Sequence, residues 1–311
     1  MILTVTLNAA IDKRYVIENF REGEVNRVKE CRYVPGGKGL NVSKTAVIAG
    51  ERVVASGFVG GHAGAYIEEA LEKYGVEHDF FHLSGESRTC INIWDEKKQL
   101  QTECLEPGAA VSPEEFRGFL ERYQKQLPKA DVIVLSGSVP KGLEESTYRK
   151  LIRLGKEAGK KVILDTSGRL LEEGIKEKPY LIKPNIDEIR MLTGSACKDL
   201  AEIGKAARAL QEDGIEMVVV SLGKDGAVAA TKKGIFRLTV PQIQAVNTVG
   251  CGDTMTAGFA VGISRELELE GILKRAAAMS TASALREETG YFLREDMEDI
   301  LKQISLTEMQ A

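Results

Sequence analysis

Short runs of Val, Ile and Leu recur along the chain, separated by longer stretches with helical spacing. Residues 2–7, 53–62, 131–135, 161–165 and 217–221 are such runs, and the Leu181-Ile182 step opens another. Apolar runs of this length, bounded by polar or glycine-rich turns, predict buried strands. The intervening segments 44–50, 63–74, 112–127, 147–158, 201–213, 254–264, 272–285 and 297–304 predict helices, the last followed by a polar tail. The start near residue 112 is the clearest: Ser112 precedes Pro113, Glu114 and Glu115, an N-cap followed by a first-turn proline and acids. Repeated strand–helix alternation with apolar strands predicts a mostly parallel central sheet covered by helices on both faces.

Two regions depart from that rhythm. Residues 15–20 and 27–34, then 87–94 and 99–105, read as half-exposed strands without intervening helices. They predict a small sheet projecting from the main layer, a lid over the functional site, a second subunit, or both. Residues 227–231 and 235–240 read as a hairpin. The whole chain, 1–311, is expected to form one α/β domain with lid strands from about 14–34 and 87–105.

Composition narrows the function classes. The chain is 43% hydrophobic and 28% charged, with a net charge of -4. No basic excess favours a nucleic acid partner. No apolar stretch is long enough to predict a membrane span, and residues 1–7 read as a first strand rather than a targeting segment. The five cysteines are scattered without a Cys-x-x-Cys pair, and the three histidines have no metal-ligand spacing. Reduced thiols and a cytoplasmic location are expected.

The chemistry-bearing residues fall at the predicted strand ends, where open α/β sheets bind ligands. They are Asp12, Gly36 to Asn41, Ser138, Lys183 to Glu188, Ser221 to Gly226, and Gly250 to Asp253. In the last of these, Gly250 and Gly252 permit a tight turn with amides on one side, ahead of a helix whose positive end favours an anion. Asp253 stands where a carboxylate could take a proton from a hydroxyl. Taken alone, the same residues also fit a capped helix start. Neither a Walker loop nor a dinucleotide Gly-x-Gly-x-x-Gly motif occurs, so a dinucleotide oxidoreductase is disfavoured.

Gly36-Gly37-Lys38-Gly39-Leu40-Asn41 and Gly250-Cys251-Gly252-Asp253 resemble the two signatures of the ribokinase-like PfkB sugar kinases. Residues 6–12 and the Lys183-Pro184-Asn185-Ile186-Asp187-Glu188 stretch also match, in order and spacing over nearly the whole chain. The chain most resembles the phosphosugar branch, which holds 1-phosphofructokinase, tagatose-6-phosphate kinase and the minor 6-phosphofructokinase. The resemblance implies an ATP- and Mg2+-dependent kinase with a ribokinase-like sheet. It makes Asp253 the general base and the amides of Gly250, Cys251 and Gly252 the anion hole. It gives the sugar hydroxyls to Asp12, Gly37, Lys38 and Asn41. The substrate phosphate falls to Arg88 with Arg27 or Lys38, and Ser138 faces the same crevice. Lys183, Ser221, Gly223 and Gly226 would line ATP, and Asn185 with Glu188 would organise Mg2+ through water. A homodimer through the lid is implied.

Two positions depart from the family pattern. Asn247 stands where many members have Asp, and Cys251 replaces the usual Ala or Ser. A thiol at a helix start suggests a lowered pKa and oxidation sensitivity. The expected acceptor is fructose 1-phosphate, phosphorylated at the 6-hydroxyl. Tagatose 6-phosphate or fructose 6-phosphate, at the 1-hydroxyl, is the alternative. Arg27, Lys38 and Arg88 weigh against an unphosphorylated sugar, and Asp253 with Glu188 against a catalytically silent sugar-phosphate sensor.

Overall fold

In the computed structural model, which describes residues 1–309, the chain winds a ten-stranded sheet and a separate four-stranded one. The first part runs β1 (Ile2–Thr6), β2 (Ala10–Ile17), β3 (Glu30–Gly36), α1 (Lys38–Ile48), β4 (Val53–Gly60), α2 (Gly61–Lys73) and β5 (Glu77–Leu83). Next come β6 (Arg88–Asp95), β7 (Leu100–Leu105), α3 (Pro113–Gln126), β8 (Val132–Ser136), α4 (Thr147–Glu157) and β9 (Lys161–Asp165). They are followed by α5 (Gly168–Gly174), β10 (Leu181–Ile182), α6 (Ile186–Thr193), α7 (Leu200–Glu212), β11 (Met217–Ser221), β12 (Ala227–Thr231) and β13 (Gly234–Thr239). The chain closes with α8 (Cys251–Ser264), α9 (Leu269–Ser283), α10 (Arg294–Leu301) and β14 (Ser305–Met309).

The large sheet has the order β14-β13-β12-β11-β10-β9-β8-β1-β4-β5. Its strands are parallel from β11 to β5, and the antiparallel β12–β14 extend one edge. Alternation along each strand builds two cores. Val132 and Val134 pack with α1, α2, α8, α9 and α10, while Ile133 and Leu135 pack with α3 to α7. Both faces are therefore covered, which is why these strands read as continuous apolar runs. Each fully buried Val, Leu or Ile stabilises the fold by about 1.5–3 kcal/mol.

From β1 the chain order steps outward to β4 and β5 on one side, and from β8 to β9, β10 and β11 on the other. The reversal lies between β1 and β8, and a crevice opens at their carboxyl ends. The lid sheet, order β3-β2-β6-β7, stands over it. β2 and β6 are parallel there, while the outer pairs are antiparallel.

Several boundaries differ from the sequence reading. α1 begins at Lys38 rather than near residue 44, so the glycine loop is already the first helical turn. α8 begins at Cys251, which puts Asp253 in its first turn. The polar tail after α10 is not loose but pairs with β13 as β14, Leu306 opposite Leu238. α5 and α6 were not anticipated, because neither has a long amphipathic repeat. Ser112 caps α3 as expected and forms a full capping box with Glu115. No helix of the described residues is long and apolar enough to cross a membrane.

Candidate functional site

A cavity of about 1050 Å³ lies between the strand ends and the lid. Asp12, Gly37, Lys38, Asn41, Arg88, Ser138, Gly250, Gly252 and Asp253 line it, although they come from positions 12 to 253 of the chain. Lid residues Arg14, Arg32, Asn92 and Glu103 line it as well.

Asp253 is buried in the first turn of α8. Its Oδ2 accepts a hydrogen bond from Asn41 Nδ2 at 2.9 Å, and its Oδ1 lies 3.5 Å from Lys38 Nζ. Asn41 and Lys38 are both on α1, so the two glycine signatures meet across the cavity. Burial raises the pKa of Asp253, with Lys38 pulling the other way and Asp165 adding to the rise. A carboxylate held above its ordinary range yet beside a cation is suited to receive a proton.

Asp165 is the site residue that the sequence did not single out. It ends β9 with its side chain buried. Its Oδ2 accepts from Thr256 Oγ1 at 2.7 Å and lies 3.6 Å from Lys183 Nζ, and its Oδ1 lies 3.8 Å from Lys38 Nζ. Burial alone would raise its pKa, but Lys183 and Lys38 outweigh that and lower it. Asp165 and then Asp253 raise the pKa of Lys38 against its own desolvation, so Lys38 stays charged. Two acids and two lysines thus alternate between the ends of β9 and β10 and the starts of α1 and α8.

The Gly250 turn borders this array. Gly250 has φ +79° as the N-cap of α8, and a Cβ there would lie 2.5 Å from Thr289 Cγ2. Glycine is the residue that fits both demands. At the start of the 14-residue α8 the amides of Gly252 and Asp253 are unpaired, while Cys251 N donates to Thr248 O at 3.3 Å, and the positive end of the helix dipole lies beside Lys38 and Lys183. An incoming anion fits there.

The opposite wall is built on the start of the lid strands, with Asp12 in β2 and Arg88 opening β6. Asp12 sits over Gly36, where any Cβ would overlap its carboxylate. Burial pushes Asp12 up to about 6, partly opposed by Lys44 and Arg88. Arg88 donates from Nε to Asn8 O at 3.0 Å and from Nη1 to Glu106 O at 3.1 Å. Two carbonyls therefore fix its plane and leave Nη2 for a ligand. Asn8 also donates to Ser138 Oγ at 3.2 Å, which ties Ser138 to the same wall. Arg27 is not brought in. It is exposed on the loop between β2 and β3 and does not line the cavity. That loop returns to the sheet at Lys29, which pairs with Val16 at the far end of the lid, and carries Arg27 past the cavity. Arg14 and Arg32, directly opposite each other on β2 and β3, occupy the lid face instead.

The residues assigned to the nucleotide lie along the same sheet edge, beyond the cavity lining. Ser221 N donates to Pro184 O at 3.0 Å, joining the ends of β10 and β11, and Gly223 and Gly226 form the turn after β11. Asn185 and Glu188 close a capping box at α6, with Asn185 N donating to Glu188 Oε2 and Glu188 N to Asn185 Oδ1, both at 2.9 Å. One Glu188 oxygen stays free, and its charge reaches Lys38. Among the described residues, no group of three or more His, Cys, Asp or Glu side chains converges as a metal cage.

Cys251 differs from its sequence expectation. Its thiol is turned away from the cavity toward Asn247 O, and burial, with Asp253 adding, pushes it up to about 11 rather than down. A thiol held protonated is a poor nucleophile, so the helix start does not activate it. Asn247 donates from Nδ2 to Glu287 O at 2.9 Å and accepts from Val249 N at 3.0 Å. An amide makes both bonds where a carboxylate could only accept.

The family described as pfkB family carbohydrate kinase matches residues 4–296. A tagatose-6-phosphate kinase of Staphylococcus epidermidis is 40% identical over 312 residues, covering 99% of this chain and 100% of that one. A solved structure described as phosphofructokinase-2 from Escherichia coli in complex with potassium superposes with a TM-score of 0.91 at 25% identity, covering 97% of this chain and 98% of that one. A possible 1-phosphofructokinase from Thermotoga maritima superposes with a TM-score of 0.89 at 30% identity, over 100% of both chains.

Proposed function

The chain belongs to the pfkB family of carbohydrate kinases, and on that premise we propose that it transfers the γ-phosphoryl group of ATP to the free primary hydroxyl of a ketohexose monophosphate. The observation that carries this reading is the Asp253–Lys38–Asp165–Lys183 array beside the Gly250 turn, with Arg88 held by two carbonyls across the same cavity. It offers a base, an anion hole and a separate phosphate anchor.

In the step itself, the acceptor oxygen attacks the γ-phosphorus as its proton passes to Asp253. The new sugar O–P bond forms, the bond from the γ-phosphorus to the β,γ-bridging oxygen breaks, and ADP leaves. The amides at Gly250, Cys251 and Gly252, with Lys38 and Lys183, hold the charge spread over the transferring group. Asp12 and Asn41 orient the sugar hydroxyls. Asp12, with a pKa of about 6, is mainly ionised at neutral pH and accepts from one of them. Lys183, Asn185, Ser221, Gly223 and Gly226 flank the nucleotide along the β10–β11 edge. Asn185 and Glu188 are the residues that would hold Mg2+, through water, consistent with the one free Glu188 oxygen and that ion's retained hydration. Mg2+ supplies neutralisation of the phosphate charge.

Tagatose 6-phosphate, fructose 6-phosphate and fructose 1-phosphate all fit a cleft with an anchor at one end and a base at the other. The 40% identity to a tagatose-6-phosphate kinase over nearly the full length puts tagatose 6-phosphate, at its 1-hydroxyl, first. Fructose 1-phosphate, at its 6-hydroxyl, is the second reading and is favoured by the 30% identical Thermotoga maritima structure. β7 is an edge strand of the lid and exposes Leu100 by 60% and Leu105 by 65%. Such an apolar edge supports a homodimer through the lid.

Replacing Arg88 tests the anchor. A charge-assisted bond to phosphate contributes about 1.5–3 kcal/mol, so Arg88→Ala is expected to lower kcat/KM for the ketohexose monophosphate by about 10²-fold. Turnover of the unphosphorylated sugar is expected to change by no more than about three-fold, because that sugar makes no such bond. Equal losses on both sugars overturn the assignment.

A further inference from the structure

Lys44 is one of the most buried side chains in the protein, 1% exposed, and the reaction outlined above does not use it. Its Nζ lies 3.5 Å from Thr289 O and 5.4 Å from the centre of the Tyr74 ring. Tyr74 in turn donates to Glu288 Oε1 at 2.8 Å. A buried ammonium costs several kcal/mol in lost hydration unless partners replace the water, and an apolar side chain of similar length would fill the same space without that cost. Its partners all belong to, or hold, one segment, the 287–290 loop after α9.

That loop is a wedge between the two halves of the reacting site. On one side Thr289 packs against Gly250, close enough to leave no room for a side chain there. Asn247, at the start of the same turn, donates to Glu287 O at 2.9 Å. On the other side Gly290 packs against Asn41, with 3.3 Å between a Cβ at Gly290 and Asn41 Cβ. Thr45 Oγ1 reaches both Asn41 O, at 2.6 Å, and Gly290 O, at 3.2 Å. Asn41 is the residue that donates to Asp253. The placement of the loop therefore sets the placement of the anion-hole turn relative to the base.

We propose that Lys44 is a positioning residue, which clamps the 287–290 loop from below and so fixes the Gly250 turn and the Asn41–Asp253 pair at their working separation. Its charge acts as well as its length. Burial lowers the pKa of Lys44, and Glu288 on the loop, Asp12 on β2 and Asp253 on α8 oppose that and favour its charged form, while Tyr74 on α2 offers its ring. Asp12 also faces Arg88, Asp253 and Glu103, and Asp253 faces Lys38, Asp165 and Lys183. Removing the Lys44 charge withdraws one of the groups that favour the ionised form of Asp12, and one that attracts ionised Asp253. The carboxyl groups then ionise at higher pH.

The inference rests on Asp253 and Gly250 being the reacting elements, and its test separates the two. In Lys44→Met, kcat is expected to fall by about 10- to 100-fold, since misplacing reacting groups by about 1 Å costs on that order. KM for the acceptor and for ATP is expected to change by no more than about three-fold. The acid limb of the pH profile moves to higher pH, and Lys44→Arg, which keeps the charge, restores both its position and the rate. Without any substrate, amide hydrogen exchange in segments 247–252 and 286–291 is faster in Lys44→Met than in the unaltered protein. If Lys44→Met does not fold, Tyr74→Phe frees Glu288 and is expected to speed exchange in 286–291. A side chain that only filled space would lower the melting temperature and leave the acid limb where it was. An unmoved acid limb together with unchanged exchange in both segments overturns the proposal. Failure of the unaltered protein on every ketohexose phosphate would overturn the acceptor reading, while the exchange comparison still decides the role of Lys44.

Discussion

Asp253→Asn is expected to lower kcat by about 10³-fold, within the range that a positioned general base contributes, and to leave KM for both substrates nearly unchanged. The amide keeps the size of the carboxylate and its place beside Asn41, but it cannot take the acceptor's proton. The change is also expected not to lower the melting temperature at neutral pH. Burial holds the pKa of Asp253 above its ordinary value, so its ionised form is disfavoured in the fold. A raised folded pKa means that the native state binds the extra proton, and stability from this group falls as pH rises through that pKa. Replacing the charge with a neutral amide removes that penalty. Lost turnover with retained stability marks a group placed for chemistry rather than for folding. The same raised pKa sets the acid limb of the unaltered protein's pH profile above the ordinary Asp value of about 3.9. A variant with unaltered kcat would exclude Asp253 as the base.

Asp165→Ala is expected to do the opposite, destabilising the protein by about 3 kcal/mol and lowering the melting temperature by on the order of 10 °C. The Asp165 carboxylate is buried between Lys183, itself 7% exposed, and Lys38. Removing it leaves Lys183 buried with no carboxylate beside it. Lys38 keeps contact with solvent and with Asp253, which is why the lower end of the range for breaking a buried pair applies. The pKa of Asp165 is lowered, so its contribution is present above the unfolded value of about 3.9 and is lost as pH falls through the folded one. The gap in stability between Asp165→Ala and the unaltered protein should therefore narrow in acid, readable by thermal melts at pH 7 and pH 3. A gap that stayed constant with pH would show that Asp165 acts by packing alone.

The site was partly legible in the sequence, and what was missed has a common cause. Gly36 to Asn41 and Gly250 to Asp253 stand out because turns and anion cradles need local glycines, and local needs leave local signals. Asp165 leaves none. It ends a strand as many acids do, and only the parallel order β8-β9-β10 brings Lys183 beside it and α1 brings Lys38 above it. Lys44 reads as an ordinary helical lysine until α2 and the 287–290 loop close over it. Asn185 and Glu188 carry two meanings at once, since the same spacing that suits a metal helper is that of a capping box, and the box they form leaves one Glu188 oxygen free. The resemblance offers Arg27 or Lys38 beside Arg88; Lys38 lines the cavity, whereas the loop that bears Arg27 runs past it, and Arg14 and Arg32 on paired strands line the lid face.

The fold was more legible than its edges. Strands buried on both faces announce themselves by composition, so β1, β4, β8, β9 and β11 were placed within a residue or two of their bounds. β14 looks like a tail in the sequence because its five residues, Ser305 to Met309, alternate too briefly to outweigh their polarity. Its partner β13 decides its conformation. The lid strands were recognised from alternation, yet their register was not, because pairing β2 with β6 in parallel depends on contacts across about 80 residues of chain.

The most direct test is a comparison of kcat/KM for the unaltered protein, with ATP and Mg2+, on tagatose 6-phosphate, fructose 1-phosphate, fructose 6-phosphate and the two unphosphorylated ketohexoses. One ketohexose monophosphate is expected to exceed its unphosphorylated counterpart by at least about 10²-fold, the worth of the Arg88 anchor, and to give a bisphosphate and ADP in equal amounts. An unphosphorylated sugar turned over as well as any monophosphate would contradict the account.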